Sequence, residues 1–394
     1  MEVVLVRNAS ILGFVFLAAW WSWRFCCVDG ALLTSPDSPP KTSSDATLNL
    51  TDDARETPVL FDVVNRVHLP QPSSDLALLA RGEASFVLPP DSFPDPSLCL
   101  HLLKLLGWDG TIVIVKAEER QEVLLRELIF NGDLTKRYLG DASFTPTRYG
   151  LRFPTKEGAI GHAADESHRD QCLAMLAELG AELSQPLVLD DKTYSLRDVL
   201  RDSLANFHLD QQELAWTTVA YTSYLPPRKR WENRYGMEFS FDDLAKAMMD
   251  RPLDQLSCGG THVFYALTLL LRADRVTPVL SEKTRQRLVE YIQNAVRVAC
   301  KNQKLEGTWN LDWWRDRPAD DRQLISVSSQ VLITGHMAEW LMYLPEDLLA
   351  SDYQLRRAGT WLSAHLATAT EQTFWEEVCP YTHMIFVVQS SLSQ

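Results

Sequence analysis

Ser257-Cys258-Gly259-Gly260-Thr261-His262 runs directly into Val263-Phe264-Tyr265-Ala266-Leu267-Thr268-Leu269-Leu270-Leu271-Arg272, and this junction decides how the chain reads. Two glycines and a hydroxyl residue ahead of a run that is apolar on every side predict a helix with a closely packed start and a fully buried body. Cys258 and His262 fall where such a helix leaves unpaired N–H groups and the positive end of its dipole, a place suited to anions and reactive groups. Both are therefore candidate site residues.

On either side of this helix the hydrophobic period stays helical. Beyond residue 165 helices are predicted near 166–184, 195–206, 210–224, 240–250, 261–273, 281–302, 324–344 and 352–370, joined by short polar or proline-containing loops. Those at 210–224, 261–273 and 324–344 are apolar on most sides, whereas 240–250, 281–302 and 352–370 carry charge along one face. The first set reads as inner helices and the second as outer ones. Internal similarity points the same way. Glu213-Leu214-Ala215-Trp216 leads to Tyr224-Leu225-Pro226 as Ala338-Glu339-Trp340 leads to Tyr343-Leu344-Pro345, and Thr261-His262 is echoed by Thr334-Gly335-His336. Stacked hairpin units that share one core give this pattern. If the hairpins close into a complete or incomplete ring, the inner helices start at one mouth, where Glu213, His262 and His336 would meet.

The upstream chain divides into three. Residues 1–30 hold Arg7 and the apolar stretch 11–21, with Trp20, Trp21, Trp23 and Arg24, which reads as a secretory signal or an uncleaved transmembrane signal-anchor. Residues 31–58 are rich in Ser, Thr, Asp and Pro and read as a disordered linker. Residues 59–165 form a small mixed α/β segment, with a helical pattern from Leu98 to Leu106 capped by Pro94-Asp95-Pro96-Ser97 and ending at Gly107, a strand at 111–115, a charged helix ending before Asn131-Gly132 and a second strand at 149–153. The helical domain then covers 166–385. The expected place is extracytoplasmic, secreted or membrane-anchored.

Composition narrows the function classes. The 394 residues are 46% hydrophobic, enough to bury a large core. A net charge of −14 argues against nucleic acid as a partner, because a phosphate-binding surface needs a basic excess. The seven cysteines stand at 26, 27, 99, 172, 258, 300 and 379 with no Cys-x-x-Cys pair and no close Cys/His cluster of zinc-site spacing, so the spacing predicts no metal site and no cofactor.

One motif carries a family resemblance. Tyr291-Ile292 followed by Gln303-Lys304-Leu305-Glu306-Gly307-Thr308-Trp309 resembles the Gln-xxx-Gly-x-Trp repeat of terpenoid cyclases and protein prenyltransferases. The resemblance implies a mainly α fold, a helical-hairpin (α/α) toroid over about residues 166–385. It makes Gln303 a helix-end cap and Trp309 a staple between hairpins. The catalytic signatures of that family are absent: Asp316-Arg317-Pro318-Ala319-Asp320-Asp321 is the nearest approach to the Asp-x-Asp-Asp acid motif, and Asp254 lies four residues before Cys258 rather than two. Toroid thioester domains also carry Cys-Gly at an inner helix, but Thr261 stands where they need glutamine.

Two functions remain open on these residues. One is a binding or scaffolding module for a small molecule, glycan or protein. The other is an enzyme acting on a glycan or isoprenoid-like substrate by carboxylate and histidine acid–base chemistry, drawn from Glu213, Cys258, His262, Asp312, His336 and Glu339. Cys258 beside His262 has the types of a thiol nucleophile and its base, and Asp312 lies among Trp309, Trp313 and Trp314, surroundings that favour a protonated acid. Each residue also has a plain structural role open to it, as a packed thiol, a core histidine or a helix cap.

Overall fold

A computed structural model describes residues 50–69, 86–88, 96–116, 119–139, 144–153, 168–211, 213–227, 230–315, 326–349 and 351–392. The fold is mainly helical with a few small sheets. The helices are α1 (Pro96–Leu106), α2 (Leu125–Phe130), α3 (Gly132–Leu139), α4 (Gln171–Glu178), α5 (Leu196–Ala205), α6 (Leu214–Tyr224) and α7 (Phe241–Asp250). They continue as α8 (Thr261–Val276), α9 (Glu282–Asn302), α10 (Val327–Tyr343), α11 (Tyr353–Leu366), α12 (Glu371–Glu376) and α13 (Val378–Leu392).

The expected strand at 111–115 is β2 (Thr111–Lys116), which pairs in parallel with β1 (Phe86–Leu88) and antiparallel with β3 (Glu119–Leu124). β3 corrects the expectation that this charged stretch is helical from its start. Its residues pair one for one with β2, and the helix begins only at Leu125. Short hairpins pair Pro186–Leu189 with Lys192–Ser195 and Trp231–Glu232 with Glu238–Phe239 in the connections between helices.

Helix starts follow the capping residues in the sequence. Ser240, Ser281, Ser326 and Thr370 each accept a hydrogen bond from the backbone N–H three residues on, and Ser195 with Asp198 forms a capping box. The inner and outer character also follows the pattern. Every residue of α6 is buried, and so are most of α8 and α10, while α7, α9 and α11 bury one face only. α4 packs on α6, α6 on α8, α8 on α10, α10 on α13, α13 on α1 and α1 on α4. α7, α9 and α11 lie against the members of that series. The upstream segment is tied to the same helices: Asn65 donates to the carbonyls of Leu341 and Leu344, and Val59 to that of Ser223.

Among the described residues no helix is long and apolar enough to cross a membrane, which corrects the reading of the chain as transmembrane. The longest helix, α9, spans 21 residues but is charged along its outer face. The apolar helices α8 and α10 have 16 and 17 residues, short of the roughly 20 that a bilayer requires. The stretch 11–21 and residues 31–49 of the expected linker 31–58 lie outside the described residues.

Gln303 and Trp309 hold structural positions. Gln303 Nε2 donates to Gly307 and Gln354 carbonyls, both at 2.9 Å, which joins the α9 end to α11. Trp309, fully buried, donates to Ala299 O at 2.8 Å. At the far end of α8, buried Asp274 accepts from the backbone N–H of Val279 and Leu280, both at 2.8 Å, and from the Arg285 guanidinium. Burial opposes its charge, but Arg285 and the two N–H groups outweigh it and hold the carboxyl below its ordinary range. The folded state thus binds this proton less tightly than the unfolded chain. The contribution is complete above the unfolded carboxyl value near pH ~4 and is lost as pH falls through the lower folded value. Asp274→Asn is expected to cost about 2–3 kcal/mol at neutral pH and to flatten the acid limb of stability, as followed by circular dichroism during acid titration.

Candidate metal centre

The turn that opens α8 is built from three successive left-handed residues, Cys258 (φ 50°), Gly259 (φ 60°) and Gly260 (φ 76°). Gly259 is required twice over, because a Cβ there would lie 2.4 Å from the Leu311 carbonyl oxygen. Its own carbonyl accepts from Trp313 Nε1 at 3.0 Å. Cys258 has no such freedom and holds the left-handed form at a cost of about 1–2 kcal/mol, the kind of strain that surrounding structure maintains at functional sites. Thr261 Oγ1 donates to the Cys258 carbonyl at 2.8 Å and closes the turn. Cys258 and His262 are thereby presented together to the interior.

Behind them lies a continuous series of buried ionisable groups. His262 Nδ1 is bonded to Glu213 Oε1, and Glu213, the residue just before α6, has its other oxygen 3.7 Å from His168 Nδ1. The Trp216 ring covers His262 at 4.9 Å between centroids. The His336 ring lies 4.8 Å from that of His262 and 3.7 Å from that of His383. Gly335 permits this approach, since a Cβ in its place would meet the His383 Cβ at 3.0 Å. His383 Nδ1 is 2.7 Å from Glu339 Oε2, and Glu339 Oε1 accepts from Lys104 Nζ at 2.6 Å. Lys104 also reaches Glu178 at 3.3 Å, which in turn accepts from Tyr265.

Charge is distributed unevenly along the series. Burial opposes the imidazolium of His262, yet Glu213 and Cys258 push its pKa well above the ordinary value. Burial, then the neighbouring His383, drives His336 well below its ordinary value, and burial likewise lowers His383. Burial opposes the Glu339 carboxylate, but Lys104 and His383 hold it well below the ordinary range. Glu178, whose burial outweighs Lys104, is raised. Burial and then Cys258 push the Cys379 thiol up. His336 and His383 are thus neutral imidazoles in the middle of the molecule, the form that ligates metals.

Four of these groups offer three donor atoms within 4.8 Å of one another: Cys258, His262 and His336; His101, Cys379 and His383; His336, Glu339 and His383; and His168, Glu213 and His262. His336 Nε2 is buried and has no hydrogen-bond partner among the described residues. A cavity of about 10 Å³, lined by Glu213, Gly260, His262, Ser257, Leu256 and Arg251, adjoins the first set. That is room for about one water molecule.

Of the residues expected from the sequence, Glu213, Cys258, His262, His336 and Glu339 converge. Asp312 does not. It lies partly exposed in the turn after Trp309, 3.9 Å from Arg315 Nε, because Trp309 and Trp313 point inward and leave it at the surface. His101, Lys104, His168, Glu178, Cys379 and His383 escaped the sequence reading. For two of them a signal existed: Cys379-Pro380-Tyr381-Thr382-His383 repeats the Cys-x-x-Thr-His spacing of Cys258-Gly259-Gly260-Thr261-His262. In both copies the histidine uses Nδ1 to hold a buried glutamate, Glu213 in one and Glu339 in the other. No family model matches the chain, and neither a curated relative nor a solved structure matches it.

Proposed function

We propose that the chain is an α/α toroid that binds a divalent transition metal of the zinc class through Cys258, His262 and His336, and uses it to activate water against a small substrate. The observation that carries this is the buried His336 Nε2 without a partner, beside a thiol and a second imidazole. A buried polar atom left without a hydrogen bond costs about 1–3 kcal/mol, and an ion at that point removes the cost. Nitrogen and thiolate donors suit zinc, cobalt and copper and are poor for magnesium or calcium. Tetrahedral coordination by such donors needs them about 3.5 Å apart, and the three donor atoms lie within 4.8 Å of one another.

With Nδ1 of His262 committed to Glu213, Nε2 is the nitrogen left for the ion, which has to displace the proton that Glu213 and Cys258 favour on this ring. A carboxylate behind a ligating histidine fixes its tautomer and strengthens it as a ligand. Three protein donors leave a fourth position for water, and a water-sized cavity lies on the Glu213 side of His262. The closed series of contacts from α4 through α6, α8, α10, α13 and α1 supports the toroid. The interior holds buried ionisable groups, and the water-sized cavity beside His262 has no room for a glycan or polyprenyl chain.

Titration of the metal-stripped chain with cobalt tests this. The expected result is one ion per chain with visible tetrahedral cobalt bands and a near-ultraviolet thiolate-to-cobalt band. His336→Ala should lower affinity at least about tenfold, and Cys258→Ser should abolish the thiolate band while Cys379→Ser leaves it. A chain that takes up neither cobalt nor zinc overturns the proposal. A second reading is favoured by the Glu213–His262–Cys258 arrangement, which matches an orienting acid, a base and a thiol nucleophile. Rapid alkylation of Cys258 in a chain that binds no cobalt would select it.

A further inference from the structure

The helices that build the metal centre at their starts form a second concave site at their ends. A cavity of about 150 Å³ lies where α6 and α8 finish, between Thr222 and Leu225 on one side and Ala273, Val276 and Val279 on another. Phe61 and Phe241 contribute its aromatic walls, and Arg55 and Arg272 its two charges. That volume equals that of an engineered apolar cavity which takes up benzene.

Two polar groups at this cavity lack partners. Thr222 is 4% exposed, and its hydroxyl makes no hydrogen bond among the described residues. The contrast with Thr218 is direct, because Thr218 Oγ1, one turn earlier on α6, donates to the Leu214 carbonyl at 2.8 Å. Arg55 has no carboxylate to pair with among the described residues, and burial alone lowers its pKa. Arg272 differs, being held by the Asp62 carbonyl and by the rings of Phe61 and Tyr343.

A plain structural role for Arg55 would be to neutralise the negative end of the α6 dipole. That role is already met by the backbone: the Arg55 N–H donates to Tyr224 O at 2.7 Å and the Val59 N–H to Ser223 O at 3.0 Å. A helix-end cation also needs no cavity, and does not account for a buried hydroxyl left without a bond. With Arg272 already held, the guanidinium of Arg55 and the hydroxyl of Thr222, both unpaired among the described residues, line the same ring-sized space as the apolar side chains and match a single chemistry.

We infer that this cavity binds a small carboxylate with a ring-sized apolar body, its carboxylate held by Arg55 and Thr222 and its body by Phe61, Leu225 and Phe241. Planar guanidinium donors suit a carboxylate in two-point contact, and the apolar walls exclude a ligand that is charged throughout. The site is independent of the metal, because it stands at the opposite ends of α6 and α8.

Calorimetric titration of the full chain with benzoate, benzamide and acetate tests the inference, with bound metal measured in the same samples. Benzoate is expected to bind saturably. Benzamide, of the same shape without the charge, should bind at least about tenfold more weakly, as loss of a charged hydrogen bond predicts. Acetate, which lacks the apolar body, should bind more weakly still. Arg55→Gln should reduce benzoate affinity about 10–100-fold, and Thr222→Val a few-fold, with metal content unchanged in both. The inference is overturned if benzoate gives no saturable heat at millimolar concentration, if benzamide or acetate matches it, or if Arg55→Gln binds it with full affinity. The benzoate and benzamide comparison uses the unaltered chain, so it stands even where a variant folds poorly.

Discussion

Glu339→Ala is expected to lower the free energy of unfolding by about 3–5 kcal/mol, read from urea titration at neutral pH. Glu339 and Lys104 are joined at 2.6 Å with side chains only 5% and 7% exposed. Removing the carboxylate strands an ammonium ion where water does not reach. Burial is the largest influence on Lys104 and disfavours its charge, and the ion is retained only because Glu178 and Glu339 together override that. With Glu339 gone, Glu178 at 3.3 Å becomes its one carboxylate partner among the described residues. Glu339→Gln keeps an acceptor for Lys104 and should cost about half as much. A loss below about 1 kcal/mol for Glu339→Ala would mean that Lys104 escapes to solvent, and would contradict the buried series described above. The same variant frees His383 Nδ1, so its imidazole orientation in the interior should also relax.

Gly259→Ala is expected to cost about 2–5 kcal/mol. The left-handed backbone penalty contributes about 1–2 kcal/mol, and a new Cβ 2.4 Å from the Leu311 carbonyl adds about 1–3 kcal/mol of overpacking. The neighbour here is backbone and has no rotamer through which to give way. Gly236→Ala is the internal control. It has the same sign of φ, at 77°, but its nearest neighbour is the tip of Glu232 at 3.3 Å, so only the backbone penalty of about 1–2 kcal/mol should appear. Equal losses at the two positions, measured by urea unfolding, would show that the close approach of the Leu311 turn to α8 contributes nothing. Because the turn also presents Cys258, Gly259→Ala should weaken cobalt binding as well as stability.

How far the sequence was readable follows from the range of the forces involved. The inner helices were legible because an apolar surface on all sides has one stable destination, the core. The charged faces of α7 and α9 were legible for the converse reason. β3 was not, because its apolar and charged residues fit a short helix until pairing with β2 decides the matter. Hairpin strands of two to four residues carry too little periodicity to register. The meeting of Glu213, His262 and His336 was derivable, since helices that start at one mouth bring their first residues together.

That the meeting brings candidate metal donors together was not derivable from local spacing. The proposed donors come from the turn before α8, α8 itself and α10, with the neighbouring candidate sets drawing on α1 and α13, and no two of the helices involved are held together by sequence proximity alone. His383 became a neighbour of His336 only through the contact of α10 with α13 at Gly335, a contact that a glycine permits and no motif announces. Asp312 shows the reverse case. Its aromatic neighbours in sequence pointed to a buried acid, but the tryptophans turn inward to pack and the carboxylate turns out.

By itself, then, the sequence determined the helical class, the burial of α6, α8 and α10, the glycine turn at Cys258 and the duplicated Cys-x-x-Thr-His spacing. Only the tertiary structure decided which donors share one point, which imidazole nitrogen is left without a partner, and that the acids at Glu213 and Glu339 each stand behind a histidine. The physical reason is that hydrophobic periodicity is written along the chain over a few residues, whereas coordination and ion pairing depend on distances of a few ångströms between helices that only close packing sets.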